Sequence, residues 1–250
     1  MKNASSILSV IFLSLLFINC KSEKKAPDFN TLTESYFDGK NELSPLDATF
    51  NGQNKYNDQL VFEMTDSFRK KKKDFFLIFL TELKSIDTTQ LSAEEKISYD
   101  IIKWESEIGI SLLGQNDNLL PINQFGGTHL TMGQFASAES AQPFKTEKDY
   151  KNFLKRIDLY SVWIDSAMVY MKKGIQEKVV LPKVLSVKII PQFEELVTSK
   201  VEDNLFYSSC KKFPANFTQD QKHALSRQYA SVIAEKLIPQ FQKFIVFMKT

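Results

Sequence analysis

The sequence predicts an all-α fold, an irregular bundle of long, partly kinked helices with one long ordered loop. Three observations predict it. Apolar residues recur at helical spacing in several long segments. Serine and threonine caps stand at the head of these segments: Ser92 with Glu95 and Thr218 with Gln221 are full capping boxes, and Thr146 with Asp149 is a weaker one. Pro191 and Pro239 fall inside periodic runs, where the ring removes a backbone donor and kinks a helix.

The chain opens on a targeting segment, residues 1–20, excluded from the fold. Lys2 gives it a positive start and Ile7 to Ile18 an apolar run too short to span a bilayer comfortably. The run ends on Phe17-Ile18-Asn19-Cys20, which resembles a bacterial lipobox, although Phe17 and Asn19 depart from its usual leucine and small residue. Lipidation of Cys20 would hold the domain at a membrane of the cell envelope. An ordinary secretion signal, or an uncut anchor with an incidental cysteine, is the alternative. Residues 21–27 are then a short polar tether, and residues 28–250 the helical region.

Asp28 to Gly39 reads as a first helix closed by Gly39, with Phe29, Leu32 and Tyr36 on one side. Ser44-Pro45 starts a helical turn, and Gly52 to Asp58 is loop. Thr65 to Ile86 is a strong helix with an aromatic stripe. Its basic run, Arg69 to Lys73, reads either as a contact for anionic lipid or as a solvated face. From Ser92 the next helix runs to about Leu113, with Ile97, Ile101, Trp104, Ile108 and Leu112 at helical spacing. Asp100 and Glu105 on it are five apart, too far round for a facing carboxylate pair, and read as surface charge.

Leu119 to Phe144 interrupts the helical pattern. It holds Gly126-Gly127, Gly133, Pro121 and Pro143 between apolar residues able to be buried, so it reads as an ordered loop, with room for a minor β element. Two readings stand. In one, the loop lines a cleft and offers its backbone and the amides of Asn123 and Gln124 to a ligand. In the other, it is a packed connector whose amides cap its own turns. His129 likewise reads as a ligand contact or as a histidine bonded to nearby backbone.

Beyond it, Thr146 to Gly174 is a long helix carrying Tyr150, Phe153, Ile157, Tyr160 and Ile164. A helix from about Pro182 to Ser199 follows, then a loop from Val201 to Phe217. The last helix opens at Thr218. Its end, Phe241 to Thr250, is apolar on nearly every side and reads as a helix made to pack against something absent from the chain.

Composition narrows function. The chain has 32 Lys and Arg against 30 Asp and Glu, a net charge of +2, which argues against nucleic acid as a partner. With Cys20 lipidated, Cys210 has no partner for a disulfide. No H-E-x-x-H, zinc-spaced Cys/His cluster, Gly-rich phosphate loop or G-x-S-x-G is present, so no complete active site and no metal site is legible.

Several segments together resemble a known family. Leu91-Ser92, Tyr99-Asp100-Ile101 with Glu105, Asn123-Gln124-Phe125-Gly126-Gly127, Gln142-Pro143-Phe144 with Asp149-Tyr150, Gly174-Ile175, Phe206-Tyr207, Phe213-Pro214 and Pro239 with Phe241, Phe244 and Phe247 resemble the N-terminal half of the bacterial domain-of-unknown-function family 885. Lys178 departs from it, standing where a second glycine is common. The family's members are often exported lipoproteins resembling helical zinc metallopeptidases. The resemblance implies a substrate-cleft half, with Asn123, Gln124, Gly126 and Gly127 positioning substrate. It implies that zinc belongs to a His-Glu-x-x-Pro-Gly-His segment beyond this chain, which would be catalytically incomplete alone. The implied partners are a membrane through Cys20, a peptide, and a complementary C-terminal polypeptide. A self-standing, lipid-anchored binding module without enzymatic activity is the alternative.

Overall fold

The computed structural model describes residues 28–250, so the leader, the tether and Cys20 lie outside the described residues. The helices are α1 (Phe29–Leu43), α2 (Pro45–Phe50), α3 (Asp66–Leu83), α4 (Ala93–Leu112), α5 (Thr128–Ala136), α6 (Glu147–Glu177), α7 (Lys183–Glu194), α8 (Gln219–Val232) and α9 (Ile238–Lys249). There is no strand among the described residues, and no described helix is long and apolar enough to cross a membrane.

Two apolar cores organise these helices. The larger is built round α6, whose 31 residues reach about 46 Å. Phe153, Ile157, Tyr160, Trp163, Ile164 and Ala167 on α6 are fully buried, because its apolar stripe is wide enough to be covered on both flanks. The smaller joins Phe29, Leu32 and Tyr36 of α1 to Phe76, Phe79 and Leu83 of α3 and Ile102 of α4. The three capping boxes close as the sequence requires, at Ser92, Thr146 and Thr218.

Several boundaries differ from the sequence reading, each for a local reason. α1 runs through Gly39 to Leu43, because that glycine leaves room for a neighbour: a Cβ there would sit 2.3 Å from Cε2 of Phe75. α6 likewise passes Gly174, where a Cβ would meet the Val179 carbonyl oxygen at 2.6 Å. Its stop is Lys178, held left-handed at φ 61°. α7 ends at Glu194 rather than Ser199, with Pro191 inside it. Val201 to Phe217 contains 3-10 turns at Val201–Asp203 and Leu205–Lys211, anchored by the buried Phe206. Ahead of Pro239, residues Ile233–Leu237 widen into a π turn, a common accommodation where the regular hydrogen-bond ladder is interrupted.

Two larger corrections concern apolar faces. The stripe Ile97, Ile101, Trp104, Ile108 and Leu112 points outward and is between 41% and 63% exposed. α4 turns two small residues inward instead: Gly109 admits the Phe76 ring, and Ser106 is fully buried. The C-terminal helix, by contrast, finds its partners within the chain. Phe241 and Phe244 are fully buried against Phe193 of α7, with ring centroids 5.7 and 4.3 Å away, and Val246 is left 64% exposed.

Candidate functional site

The central stretch is less irregular than its sequence suggests. It contains α5, which puts Met132, Phe135 and Ala136 into the main core, and it has no β element. The loop proper is therefore Leu120 to Gly127, flanked by the buried Leu119 and Thr128 and anchored from within by the buried Ile122.

Within it, Asn123 folds its side chain back on the loop. Its Oδ1 accepts hydrogen bonds from the backbone N–H of Phe125 at 3.0 Å and of Gly126 at 3.2 Å. That closes an Asx turn, so this acceptor is spent internally. The backbone carbonyl of Gln124 accepts from Nε2 of Gln192 on α7 at 3.3 Å. Of the glycine pair, Gly127 alone needs its freedom: φ is 109°, a conformation that penalises any side chain. Gly126 has a negative φ and open space where a Cβ would project. The turn raises Phe125 to 79% exposure, the highest of any large apolar residue described.

Beneath the turn, α5 begins. Thr128 donates to Oε1 of Glu63 at 2.7 Å, and Trp163 Nε1 on α6 donates to Oε2 of the same carboxylate at 2.9 Å. Glu63 thus ties the head of α5 to the central helix. His129 is 5% exposed, with its ring stacked on Phe193 at 5.7 Å. Burial drives its pKa down to about 4, opposed in part by the Gln192 side chain and the Asn123 carbonyl. Neither contact closes a hydrogen bond of regular geometry, and both ring nitrogens, Gln124 Oε1 and Gln192 Oε1 are buried without a partner. Buried polar atoms are nearly always satisfied, so this cluster under the loop is unusual. Of the two sequence readings of His129, the backbone-bonded one is met only by this irregular contact with the Asn123 carbonyl.

The four predicted residues therefore lie together on one turn, but in different roles. Asn123 and Gly127 shape it, Gln124 plugs it onto α7, and Gly126 and the exposed Phe125 face outward. A cavity of about 590 Å³ lies elsewhere, between α1, α2 and α4, and is lined by residues such as Phe37, Asn41, Phe50 and Ile101.

The remaining candidates are structural. Glu105 accepts from Tyr36 Oη at 2.9 Å and pairs with Lys40 at 2.8 Å. Within the basic run, Arg69 holds Asp117 and the carbonyls of Leu113 and Gln115. Burial pushes the Cys210 thiol up to about 12, which leaves it unreactive. Sequence reasoning overlooked Arg156, which is fully buried and donates to Gln59 O at 3.0 Å, Tyr56 O at 2.8 Å and Gln142 Oε1 at 2.8 Å. A charged residue on the core face of α6, between Phe153 and Ile157, was its signal. No group of three His, Cys, Asp or Glu able to hold a metal occurs among the described residues. His129 has the amides of Gln124 and Gln192 for company, which are poor zinc ligands. The described residues therefore do not fit zinc.

No curated protein sequence matches this chain. Its fold is similar to the crystal structure of "the putative lipoprotein from Colwellia psychrerythraea", with a TM-score of 0.70 at 15% identity. That match covers 88% of this chain and 41% of the other, so this chain spans less than half the length of its structural neighbour. The family model for bacterial proteins of unknown function designated DUF885 matches residues 45–250, and the chain belongs to that family.

Proposed function

We propose that this chain is the substrate-positioning part of a peptidase-like lipoprotein of the bacterial envelope. In this reading the Asn123–Gly127 turn meets an extended peptide, and the metal and catalytic groups come from a complementary polypeptide. The observation that carries the reading is the exposed Phe125, held on a turn that Asn123 makes rigid, above buried and unpartnered amide and imidazole groups. An aromatic anchor that is ordered before binding loses little entropy on contact, and the open space at Gly126 lets a peptide backbone approach. Lipidation at Cys20 would place the assembly at a membrane surface.

A second reading, a self-standing binding module without catalysis, draws on one observation. The apolar C-terminal helix is already packed on α7 within this chain. Both readings use the same turn and differ in whether catalysis is added by another polypeptide.

The test is a titration of the purified chain with a tryptic peptide pool from casein, followed by calorimetry and mass spectrometry. Intact binding without hydrolysis, weakened about tenfold by Phe125→Ala, is the expected result. Stoichiometric zinc together with peptide hydrolysis by this chain alone would overturn it.

A further inference from the structure

We propose that the outward face of α4 is a self-association surface, on which a second copy of this chain docks with the two α4 helices antiparallel. The proposal is independent of the peptide-positioning role. Ile97, Ile101, Trp104, Ile108 and Leu112 recur at intervals of three and four and form one continuous seam along the helix. Every one of them is exposed, while Ser106 and Gly109 of α4 face inward. A seam of five large apolar side chains is far from the scattered single residues that a monomer surface tolerates.

Three features favour a second copy as the occupant. The first is symmetry. Two pairs of the seam, Ile97 with Leu112 and Ile101 with Ile108, lie symmetrically about a midpoint between Trp104 and Glu105. A two-fold axis there sets Ile97 against Leu112 of the partner copy and Ile101 against Ile108 of the partner copy, and brings the two Trp104 positions side by side across the axis, offset by one residue, about 1.5 Å. An isologous interface requires such self-complementarity. The second is charge. Along one flank Lys96, Asp100, Lys103 and Glu107 alternate and cancel. On the other, Glu105, the acid nearest the axis, is already neutralised by Lys40 at 2.8 Å. Nothing on the rim therefore repels a copy. A parallel pair would instead bring the first-turn acids Glu94 and Glu95 of both copies together. The third is area. Side chains of this size exposed by about half present roughly 500 Å² per copy, or about 1,000 Å² for the pair, the lower bound for a specific interface. That area is in the range of transient interfaces and well below that of obligate ones.

The experiment is sedimentation velocity of the full chain over a concentration series in mild detergent, so that a lipid anchor cannot itself hold copies together. A reversible dimer is expected, and Trp104→Glu is expected to be monomeric with an unchanged circular-dichroism melt, since that residue is 63% exposed. Cysteine cross-linking fixes the geometry. Trp104→Cys should link to itself, and Ile101→Cys should link to Ile108→Cys in a mixture of the two variants but not to itself. A chain that stays monomeric at the highest concentration overturns the proposal and leaves the seam to a different polypeptide. So does a dimer that survives Trp104→Glu, or one in which Ile101→Cys links to itself.

Discussion

Acidification should loosen the candidate site through one residue, His129. In the fold its pKa is depressed from the ordinary 6.5 to about 4, because the ring is buried on Phe193 and both nitrogens lack partners. The unfolded chain takes up the proton as pH falls past about 6.5, whereas the folded chain refuses it until about 4. Between those values the unfolded state binds more protons, so stability falls as pH falls. The stability His129 contributes is complete above pH 6.5, and about 3 kcal/mol of it is gone near pH 4. That is a large part of the 5–15 kcal/mol typical of a domain. Urea unfolding followed by circular dichroism, at several pH values between 7.5 and 4, measures it directly. Carboxylates also titrate in this range, so His129→Phe serves as the reference: it keeps a ring on Phe193 and cannot be protonated. The wild type should lose about 3 kcal/mol more than the variant over this interval. Parallel losses in the two proteins would refute the reasoning. They would mean that Gln124 and Gln192 turn their oxygens to the imidazolium and hold its charge in the fold.

Two further perturbations probe how the site is supported. Arg156→Met should destabilise the fold by on the order of 3–5 kcal/mol in the same urea assay. It strips hydrogen bonds from Gln59, Tyr56, Thr49 and Gln142, which bring the segment after α2 and the approach to α6 together; a loss under about 1 kcal/mol would contradict that role. Lys178→Gly should stabilise by about 0.5–1 kcal/mol, since Lys178 sits left-handed at φ 61° where glycine is unstrained. A lower midpoint for that variant would show that the lysine side chain contributes more than its backbone strain costs.

The helical architecture was legible because its signals are local. Capping at Ser92, Thr146 and Thr218 depends on residues three apart, and the stripe of α6 on residues three and four apart. What was misread depends on contacts far along the chain. Gly39 looked like a helix end because its neighbour, Phe75 of α3, is invisible in the local sequence. Gly174 misled in the same way through Val179 and Leu119. The seam of α4 was read from its periodicity and the end of α9 from its all-round apolar composition, and neither signal says what covers an apolar face. Small residues at Ser106 and Gly109 were the missed clue that the opposite side of α4 is the packed one. At the candidate site, the motif from Asn123 to Gly127 marked the right turn, yet the outward residue is Phe125. An Asx turn that uses Asn123 and a neighbouring glycine with positive φ would have pointed to it.

The most direct test of the account is amide hydrogen exchange on the full chain, with and without the casein peptides that bind it. If the turn is the contact surface, protection should rise at Phe125, Gly126 and Gly127 and leave the exposed face of α4 unchanged. Protection that appears along α4 or around the cavity between α1 and α2, with none at the turn, would contradict the account.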